Sequence, residues 1–338
     1  MEFFGLDIGS HNIKLVKLAR KQDKYQLVAF GSCSSTSKGL LSEAESDLMS
    51  LAEIIKRLQQ EVGVKTKNVV TALPQDQIFT RAITLPSLSD DELSSALKWE
   101  AEQYIPVSLD EVALTHEIVG KIEEEGKEKI EILLAAAPKS LIEKTIKVLK
   151  VAGLNPVSLE MEITAIARSL VPSESQPVLI VDLGAKATDL AVVENGQVIL
   201  VRSIPTGGEA LTRAISLGLG LEPSQAEAYK KAYGADVKKL EGKVSDALGP
   251  ILEVIVGEIE KTIQFCQTRK KDFKRVILVG GTAGLPEAAN LLAKKLNLEI
   301  QIGNPFSRVV EDSLLAKIPP ADLPLYAVAV GLAMKEVA

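Results

Sequence analysis

Two stretches of the chain repeat one pattern of apolar and polar positions. In residues 6–16 and 181–191, an apolar run reaches an aspartate, an aliphatic residue, a glycine and a small residue, and an alternating segment then resumes. Alternation on both sides of a short turn of small residues predicts a β-hairpin. Because the two copies lie 175 residues apart, the sequence predicts two related lobes.

The segment between the two hairpins predicts an inserted subdomain. Apolar positions at helical spacing over residues 48–62 predict a helix, and residues 69–73 predict a buried strand. Residues 77–160 then follow the order strand, helix, two strands, helix, strand, which predicts a small α+β unit inserted in the first lobe. Ser89 and Glu92 have the spacing of a capping box at the first of its helices.

The second hairpin begins a second lobe with a long helical region. Residues 208–269 predict helices with an apolar stripe that faces a core, and a last helix at 326–335 is predicted to pack back on the first lobe. The predicted division of the chain is a first lobe (1–76, 161–175 and 321–338), an insertion (77–160), a second lobe (176–205 and 273–320) and a helical subdomain (206–272).

Composition narrows the class of protein. The 338 residues are 46% hydrophobic and carry a formal net charge of −6, with two cysteines and two histidines. A multi-ligand zinc site or a disulfide scaffold needs more such residues, and a nucleic-acid surface needs a basic footprint. The longest apolar run, residues 323–334, is too short to span a bilayer, and the start lacks the segments of a signal peptide. We therefore expect a cytoplasmic protein with neither a membrane span nor a nucleic-acid surface.

The two hairpin turns have the composition of phosphate-binding turns. Glycine and small residues let backbone N–H groups approach oxygen atoms closely, and each turn begins at a carboxylate, Asp7 or Asp182. Two facing turns can hold a phosphate chain from both sides while the two aspartates hold Mg²⁺ through its waters. For either turn alone, an ordinary hairpin turn is the alternative.

A third glycine turn follows a β-branched strand near residue 280. The Gly280-Gly281-Thr282 turn leads into a predicted helix and lets the backbone lie flat against a nucleoside. A plain strand-to-helix turn is the alternative. The glycine spacing matches neither G-x-G-x-x-G nor G-x-x-x-x-G-K-[ST], so motif support for the Rossmann and P-loop classes is missing.

Taken in order, the three turns resemble the actin-like ATPase superfamily. The resemblance implies an actin-like (ribonuclease H-like) α/β fold whose two lobes close around ATP and Mg²⁺. Within that superfamily, the run A-L-K-W-E-A-E-Q-Y-I-P at residues 96–106, followed by Glu111 and Val112, is similar to the PilM family of type IV pilus assembly proteins. In that family the insertion occupies the place of subdomain 1C of FtsA, which matches residues 77–160.

The resemblance also implies roles for individual residues. Asp7 and Asp182 are expected to bind the metal. Asp182 and Glu160 are expected to be catalytic, Glu160 because it is nearest in alignment to a glutamate of MreB. For Glu160, capping of a helix or solvent exposure is the alternative. Glu227 and Lys230 are expected on the adenosine, or else form a surface ion pair. The expected nucleotide contacts are Gly9, Ser10, His11, Asn12, Gly184, Ala185, Lys186, Thr188, Gly207, Gly208, Glu227, Lys230, Gly280, Gly281 and Thr282.

Three of the singled-out side chains have plain structural alternatives. His11 is expected to donate to a phosphate oxygen or to face solvent, and Lys186 to neutralise phosphate or to be an exposed hairpin lysine. Trp99 is expected to pack the insertion against the lobe, with partner recognition as the alternative.

The family resemblance implies a membrane-protein partner. The expected ligand is the cytoplasmic N-terminal peptide of a PilN-like inner-membrane protein, held in a groove between the core lobe and the insertion. Contacts with other pilus motor or platform proteins, and self-association, are further expectations. The chain is then expected in the cytoplasm, recruited to the inner face of the membrane through its partner, with nucleotide setting the angle between the lobes. The alternatives are an FtsA-like filament protein, a metabolite kinase and a scaffold that binds nucleotide without hydrolysing it.

Overall fold

A computed structural model describes residues 1–124, 126–171, 176–269 and 271–337. Residues 125, 172–175, 270 and 338, which the predicted division includes, lie outside the described residues. The strands are β1 (Phe4–Ile8), β2 (Asn12–Lys21), β3 (Lys24–Ser34), β4 (Asn68–Leu73), β5 (Phe79–Pro86), β6 (Val112–Glu124), β7 (Lys127–Pro138), β8 (Asn155–Met161), β9 (Val178–Leu183), β10 (Thr188–Glu194), β11 (Gln197–Ile204), β12 (Arg275–Val279) and β13 (Glu299–Ile302). The α-helices are α1 (Glu45–Glu61), α2 (Asp90–Tyr104), α3 (Lys139–Val151), α4 (Glu162–Leu170), α5 (Gly208–Leu219), α6 (Pro223–Tyr233), α7 (Lys243–Thr268), α8 (Ala288–Leu296) and α9 (Ala327–Ala333).

Two five-stranded sheets share one strand order. The first sheet runs β3-β2-β1-β4-β8, and the second runs β11-β10-β9-β12-β13. In each sheet the first three strands are antiparallel neighbours and the last three are parallel. The two predicted hairpins are therefore confirmed as β1–β2 and β9–β10. The carboxyl ends of β1 and β9, where the two aspartates lie, occupy equivalent places in the two lobes.

A third sheet forms the insertion. Its antiparallel order is β5-β7-β6, and α2 covers one face through a core that includes Leu93, Leu97 and Ile132. The predicted capping box at α2 is confirmed, because the Ser89 backbone N–H and hydroxyl both donate to the Glu92 carboxylate, at 3.0 and 2.7 Å. This cap fixes the start of the helix that carries the family-specific run.

Helix α3 and strand β8 lie inside the predicted insertion but pack on the first lobe. β8 pairs in parallel with β4, and Leu141 and Leu149 of α3 share the first-lobe core with Leu51 and Ile55 of α1. These contacts favour an insertion made of β5, α2, β6 and β7 instead of the whole range 77–160. The strand–helix alternation continues unbroken past β7, so periodicity alone does not mark the boundary.

Helices α4 and α9 cross closely between the two main sheets. A Cβ atom at Gly331 would overlap the carbonyl oxygen of Ala165 and lie 2.9 Å from its Cα. On its other side α9 packs on β1, where a Cβ at Gly5 would lie 2.6 Å from the backbone nitrogen of Ala333. The prediction that the last helix packs on the first lobe is confirmed, and all seven residues of α9 are buried.

The long helix α7 covers the second sheet. Its predicted apolar stripe is confirmed by the buried side chains of Leu248, Leu252, Ile255, Ile259 and Cys266. Among the described helices, α7 included, none combines the length and the apolar composition that a membrane crossing requires.

We expect Gly331→Ala to lower the free energy of unfolding by roughly 1–3 kcal/mol or more, because its methyl group would push α4 and α9 apart. Gly257→Ala, in the middle of α7, is the matched control, since a Cβ there meets no atom within 4 Å and should stabilise by about 0.5–1 kcal/mol. Urea unfolding of both variants measures the difference. Equal effects of the two substitutions would contradict the close helix crossing.

Candidate functional site

A cleft lies between the two lobes at the carboxyl ends of their central strands. Its empty volume, including the part open to solvent, is about 850 Å³. Nine of the predicted nucleotide contacts line it together with both predicted metal ligands. These contacts are Gly9, Ser10, His11, Asn12, Gly184, Ala185, Lys186, Gly280 and Gly281. The three predicted turns therefore meet in one place, although they are far apart in the chain.

The two hairpin turns are built alike. A Cβ at Gly9 would lie 2.7 Å from the carbonyl oxygen of Asn12, and a Cβ at Gly184 would lie 2.8 Å from that of Ala187. A side chain at either position would force the turn open. Glycine thus keeps the backbone of both turns bare on the cleft side, where a ligand oxygen can approach closely.

The third turn is fitted against the second aspartate. Gly280 has a φ of +88°, and a Cβ there would overlap Asp182 Oδ1 and lie 2.7 Å from the carbonyl oxygen of Leu183. The Thr282 N–H donates to the same carbonyl, at 3.0 Å. Glycine at 280 therefore serves both the left-handed backbone and the close approach to Asp182.

Lys14 is a buried cation among the carboxylates of the cleft. Its Nζ lies 2.9 Å from Asp7 Oδ2, and Asp7 is 3% exposed. Burial disfavours the charge on the lysine, but the carboxylates of Asp7, Asp182 and Glu162 outweigh burial and raise the pKa of Lys14. Lys14 therefore stays protonated and balances part of the negative charge.

The equivalent position in the second lobe is an aspartate. Asp7 is opposite Lys14 in the β1–β2 pair, and Asp182 is opposite Asp189 in the β9–β10 pair. Burial raises the pKa of Asp182 to about 6, and burial together with the charge of Asp182 raises the pKa of Asp189 to about 7. Asp189 Oδ1 is buried without a hydrogen-bond partner in the described chain. Since a buried carboxyl oxygen without a partner is costly, this part of the cleft favours a bound cation.

Glu160, which is predicted to be catalytic, is not among the residues that line the cleft. Its carboxylate accepts two hydrogen bonds from the Arg168 guanidinium, at 2.7 and 2.8 Å, and one from Lys335 Nζ, at 2.6 Å. Glu160 therefore ties β8 to α4 and to the segment after α9. Because β8 continues to Met161, the carboxylate at the cleft end of the strand is that of Glu162.

Glu162 lies in the cleft with the metal-ligand candidates. Its Oε2 accepts a hydrogen bond from the Gln75 backbone N–H, at 3.0 Å. Burial, together with the charges of Asp7 and Asp189, raises the pKa of Glu162 well above its ordinary value. A carboxylate in this place could orient a water molecule toward a bound phosphate chain.

Several predicted contacts lie behind the second turn instead of lining the cleft. The Gly208 N–H donates to the carbonyl of Gly184, at 2.9 Å, and a Cβ at Gly207 would lie 2.7 Å from that carbonyl, so both glycines hold the turn in place. Thr188 is fully buried, and its hydroxyl donates to the Thr206 carbonyl, at 2.7 Å. The structure thus gives Thr188 an internal partner in place of the predicted ligand contact.

The predicted adenosine contacts form a separate network next to that turn. Lys230 is 7% exposed, and its Nζ lies 2.6 Å from Glu227 and donates to the Gly208 carbonyl, at 3.0 Å, and to the Thr212 hydroxyl, at 2.9 Å. The alternative of a simple surface ion pair is wrong for the lysine, which is buried. Thr282 lies beside this network, since a Cβ at Gly208 would lie 2.7 Å from its hydroxyl.

The remaining predicted side chains differ in how far they are exposed. His11 Nδ1 lies 3.5 Å from Glu209 of α5, so this pair bridges the mouth of the cleft. Trp99 does not pack the insertion against the lobe as expected, because its side chain is 63% exposed on α2. Its exposure leaves partner recognition as the surviving alternative.

The donor set of the cleft fits Mg²⁺ with a phosphate chain. Mg²⁺ in such sites takes one or two carboxylates and fills its remaining positions with phosphate oxygens and water. Asp7 and Asp182 supply the carboxylates from opposite lobes. Within the described residues, no group of three or more His, Cys, Asp or Glu side chains is arranged as a self-contained metal site.

Three residues of the cleft, Lys14, Asp189 and Glu162, are not among the predicted site residues. Lys14 and Asp189 each lie seven residues after a turn aspartate, so the hairpin repeat itself contained the signal. Cross-strand partners share a face of the sheet, and each of these residues therefore faces the cleft with its aspartate. For Glu162 the signal is the exact end of β8, which alternation does not define.

Comparison with known proteins gives one family. The family described as type IV pilus assembly protein PilM matches residues 5–337. Among solved structures, a chain titled PilM-PilN type IV pilus biogenesis complex superposes with a TM-score of 0.84 at 29% identity, over 99% of this chain and 98% of that one.

More distant relatives share the fold. FtsA, the cell division protein of Bacillus subtilis (strain 168), is 22% identical over 69% of this chain, and the match spans only 58% of FtsA. MreB 5 of Spiroplasma citri, solved bound to AMPPNP, superposes with a TM-score of 0.54 at 14% identity, over 97% of this chain and 94% of that one. The fold is therefore actin-like, as expected from the three turns.

We expect Asp189→Asn to stabilise the metal-free protein more at pH 8 than at pH 5. The folded chain keeps a proton on Asp189 that an unfolded aspartate releases, so the stability contributed by this group falls as the pH rises from 3.8 to about 7. At 1.36 kcal/mol per pKa unit, the whole loss of stability is at most about 4 kcal/mol, of which about 3 kcal/mol falls between pH 5 and pH 8. Thermal unfolding in EDTA at the two pH values measures the change. Asp23→Asn, in the exposed β2–β3 turn, is the control and should show no such difference; an equal gain for Asp189→Asn at both pH values would contradict the raised pKa.

Proposed function

Because the chain belongs to the PilM family of type IV pilus assembly proteins, we propose that it binds Mg-ATP between its lobes and the cytoplasmic peptide of a PilN-type membrane protein at its insertion. The observation that carries the nucleotide proposal is the meeting of three bare glycine turns and two aspartates in one cleft. The similarity to the PilM-PilN type IV pilus biogenesis complex, at a TM-score of 0.84 and 29% identity, supports the choice of partner.

Different residues of the cleft would bind the phosphates, the metal and the nucleoside. The turns at Gly9 and Gly184 would receive the phosphates, and Asp7 and Asp182 would hold Mg²⁺ through its waters. The bound metal would neutralise phosphate charge and polarise the terminal phosphate. Lys14 balances the carboxylates and so lets a polyanion enter a cleft lined by acids.

The buried network of Glu227 and Lys230 supports an adenosine site beyond the second turn. Glu227 is partly exposed, with its carboxylate between Lys230 and the Thr212 hydroxyl, so it could accept from a ribose hydroxyl without losing its own partners. Lys230 holds the Gly208 carbonyl and thereby positions the turn and the adenosine contact as one unit.

The insertion is acidic and has an exposed aromatic residue, and both features suit the binding of a cytoplasmic segment of a membrane protein. Residues 79–138 carry 13 acidic and 5 basic residues, a net charge of −8, whereas the rest of the chain sums to +2. Cytoplasmic flanks of membrane proteins are enriched in Lys and Arg. We place Trp99 at the contact with the partner, because an exposed indole beside carboxylates suits a basic segment with an apolar anchor. Attachment to such a partner would bring the chain to the inner face of the membrane.

We expect Glu162→Gln to reduce phosphate release by about 10²-fold or more while nucleotide binding is kept, because an amide orients water poorly and accepts no proton. Glu160→Gln is the control. It should lower the melting temperature, since Arg168 and Lys335 lose their partner, and leave phosphate release per folded molecule unchanged. A steady-state assay of phosphate release by the wild type and both variants measures the difference. If the wild type releases no phosphate, Glu162 does not orient water for hydrolysis and the chain is a nucleotide-binding scaffold.

Titration of a labelled PilN-type N-terminal peptide tests the partner proposal. We expect the Kd of the full chain to differ by at least about fivefold between the apo and Mg-ATP forms, the usual range of allosteric coupling. Trp99→Ala should weaken peptide binding by about tenfold or more at an unchanged melting temperature. Leu217→Ala, 78% exposed on α5 of the second lobe, is the control and should bind normally. Equal peptide affinity in the apo, ATP and ADP forms would refute the coupling.

A further inference from the structure

One strand of the insertion reaches both lobes. Side chains of β7 alternate, and those at 130, 132, 134 and 136 lie in the core beneath α2. On the opposite face, Ala135 belongs to the core of the first lobe and Leu133 to the core between the lobes. Glu131, the next residue on that face, lies at the second lobe.

The contact of Glu131 with the second lobe is ionic and shielded. Its carboxylate lies 3.6 Å from the Arg269 guanidinium and 3.7 Å from Lys271 Nζ, and Lys271 also pairs with Glu194 of β10. The side chain of Glu131 is 13% exposed and that of Lys271 is 16% exposed, so water screens this pair far less than a surface pair, whereas Arg269 is 37% exposed.

Local backbone structure orients Glu131 toward this network. The β6–β7 register shifts between Ile118 and Gly120, and a Cβ at Gly120 would lie 2.9 Å from Glu131 Oε2. Glycine at 120 therefore leaves room for the carboxylate. Beside the network, a small cavity is lined by apolar side chains of both parts, among them Val119, Leu200 and Phe265, so the two surfaces meet without complete packing.

We infer that Glu131 is the positioning residue through which the insertion follows movements of the second lobe. The reasoning rests on the proposed function, in which nucleotide closes the lobes. The insertion is joined covalently to the first lobe at both ends, after β4 and before α3. A change in the angle between the lobes must therefore either shift β7 on the first lobe or break the Glu131 network. A peptide bound at the insertion would report the nucleotide state through this strand.

Hydrogen–deuterium exchange of the full chain, with and without Mg-ATP, tests the inference together with the peptide titration. In the wild type, nucleotide should change exchange in peptides covering β6 and β7 as well as in the cleft. In Glu131→Gln, the change should stay in the cleft, and the ratio of peptide Kd values between apo and Mg-ATP forms should fall from at least about fivefold to below about twofold. Nucleotide binding itself should be kept, because Glu131 does not line the cleft.

Two further variants provide a matched control and an independent way to disturb the Glu131 network. Glu128→Gln, on the same hairpin, removes an exposed pair with Lys121 and is the matched control that should retain coupling. Gly120→Ala displaces the Glu131 carboxylate without removing a charge and should reduce coupling even if Glu131→Gln folds poorly. Retained coupling in both Glu131→Gln and Gly120→Ala would overturn the inference, and so would a wild type that binds nucleotide without any change in β6 and β7. A wild type that binds no nucleotide would instead overturn the proposed function.

Discussion

The charge balance around the buried Asp7–Lys14 pair determines what the cleft can hold. One lysine offsets one carboxylate, but Asp182, Glu162 and Asp189 face the same space. Their pKa values are raised because burial and mutual repulsion disfavour their ionised forms. Protonation of these groups lowers their mutual repulsion, and a divalent cation would lower it as well. The turns at Gly9 and Gly184 would then bind the anion that accompanies the cation. The proposal of Mg-ATP follows from this imbalance as much as from the family.

The two lobes contribute equivalent hairpins to the site, but the charges of the two hairpins differ. Each lobe supplies a hairpin with an aspartate and a turn glycine, but the residue opposite the aspartate is Lys14 in one lobe and Asp189 in the other. The first lobe thereby neutralises itself, while the second keeps a buried carboxyl oxygen, Asp189 Oδ1, without a hydrogen-bond partner in the described chain. Behind the cleft, α4 and α9 cross closely at Gly331 and share a core with strands of both main sheets, and β7 contacts both lobes through the insertion.

Much of this arrangement could be predicted from the sequence, and the failures have local causes. The hairpin repeat predicted the two related lobes, because that feature depends on short-range alternation and on glycine, whereas the meeting of the three turns was implied by the resemblance to the actin-like ATPases. Glu160 was preferred to Glu162 because alignment does not show where β8 ends. Trp99 was expected to pack inward because large aromatic residues usually do, yet α2 buries Leu93 and Leu97 instead and leaves the indole outside. The buried partners of Lys230 depend on tertiary contacts that no local pattern encodes.

The most direct test of the account is calorimetric titration of the full chain with ATP near pH 6.5, with Mg²⁺ and with EDTA, in two buffers of different ionisation enthalpy. The account predicts one site per chain, an affinity at least about tenfold higher with Mg²⁺, and release of protons on binding, because a cation beside Asp182 and Asp189 lowers their pKa values. Binding that is absent, or that is independent of Mg²⁺ and releases no protons, would contradict the claim that the cleft carboxylates are arranged for a metal–nucleotide complex.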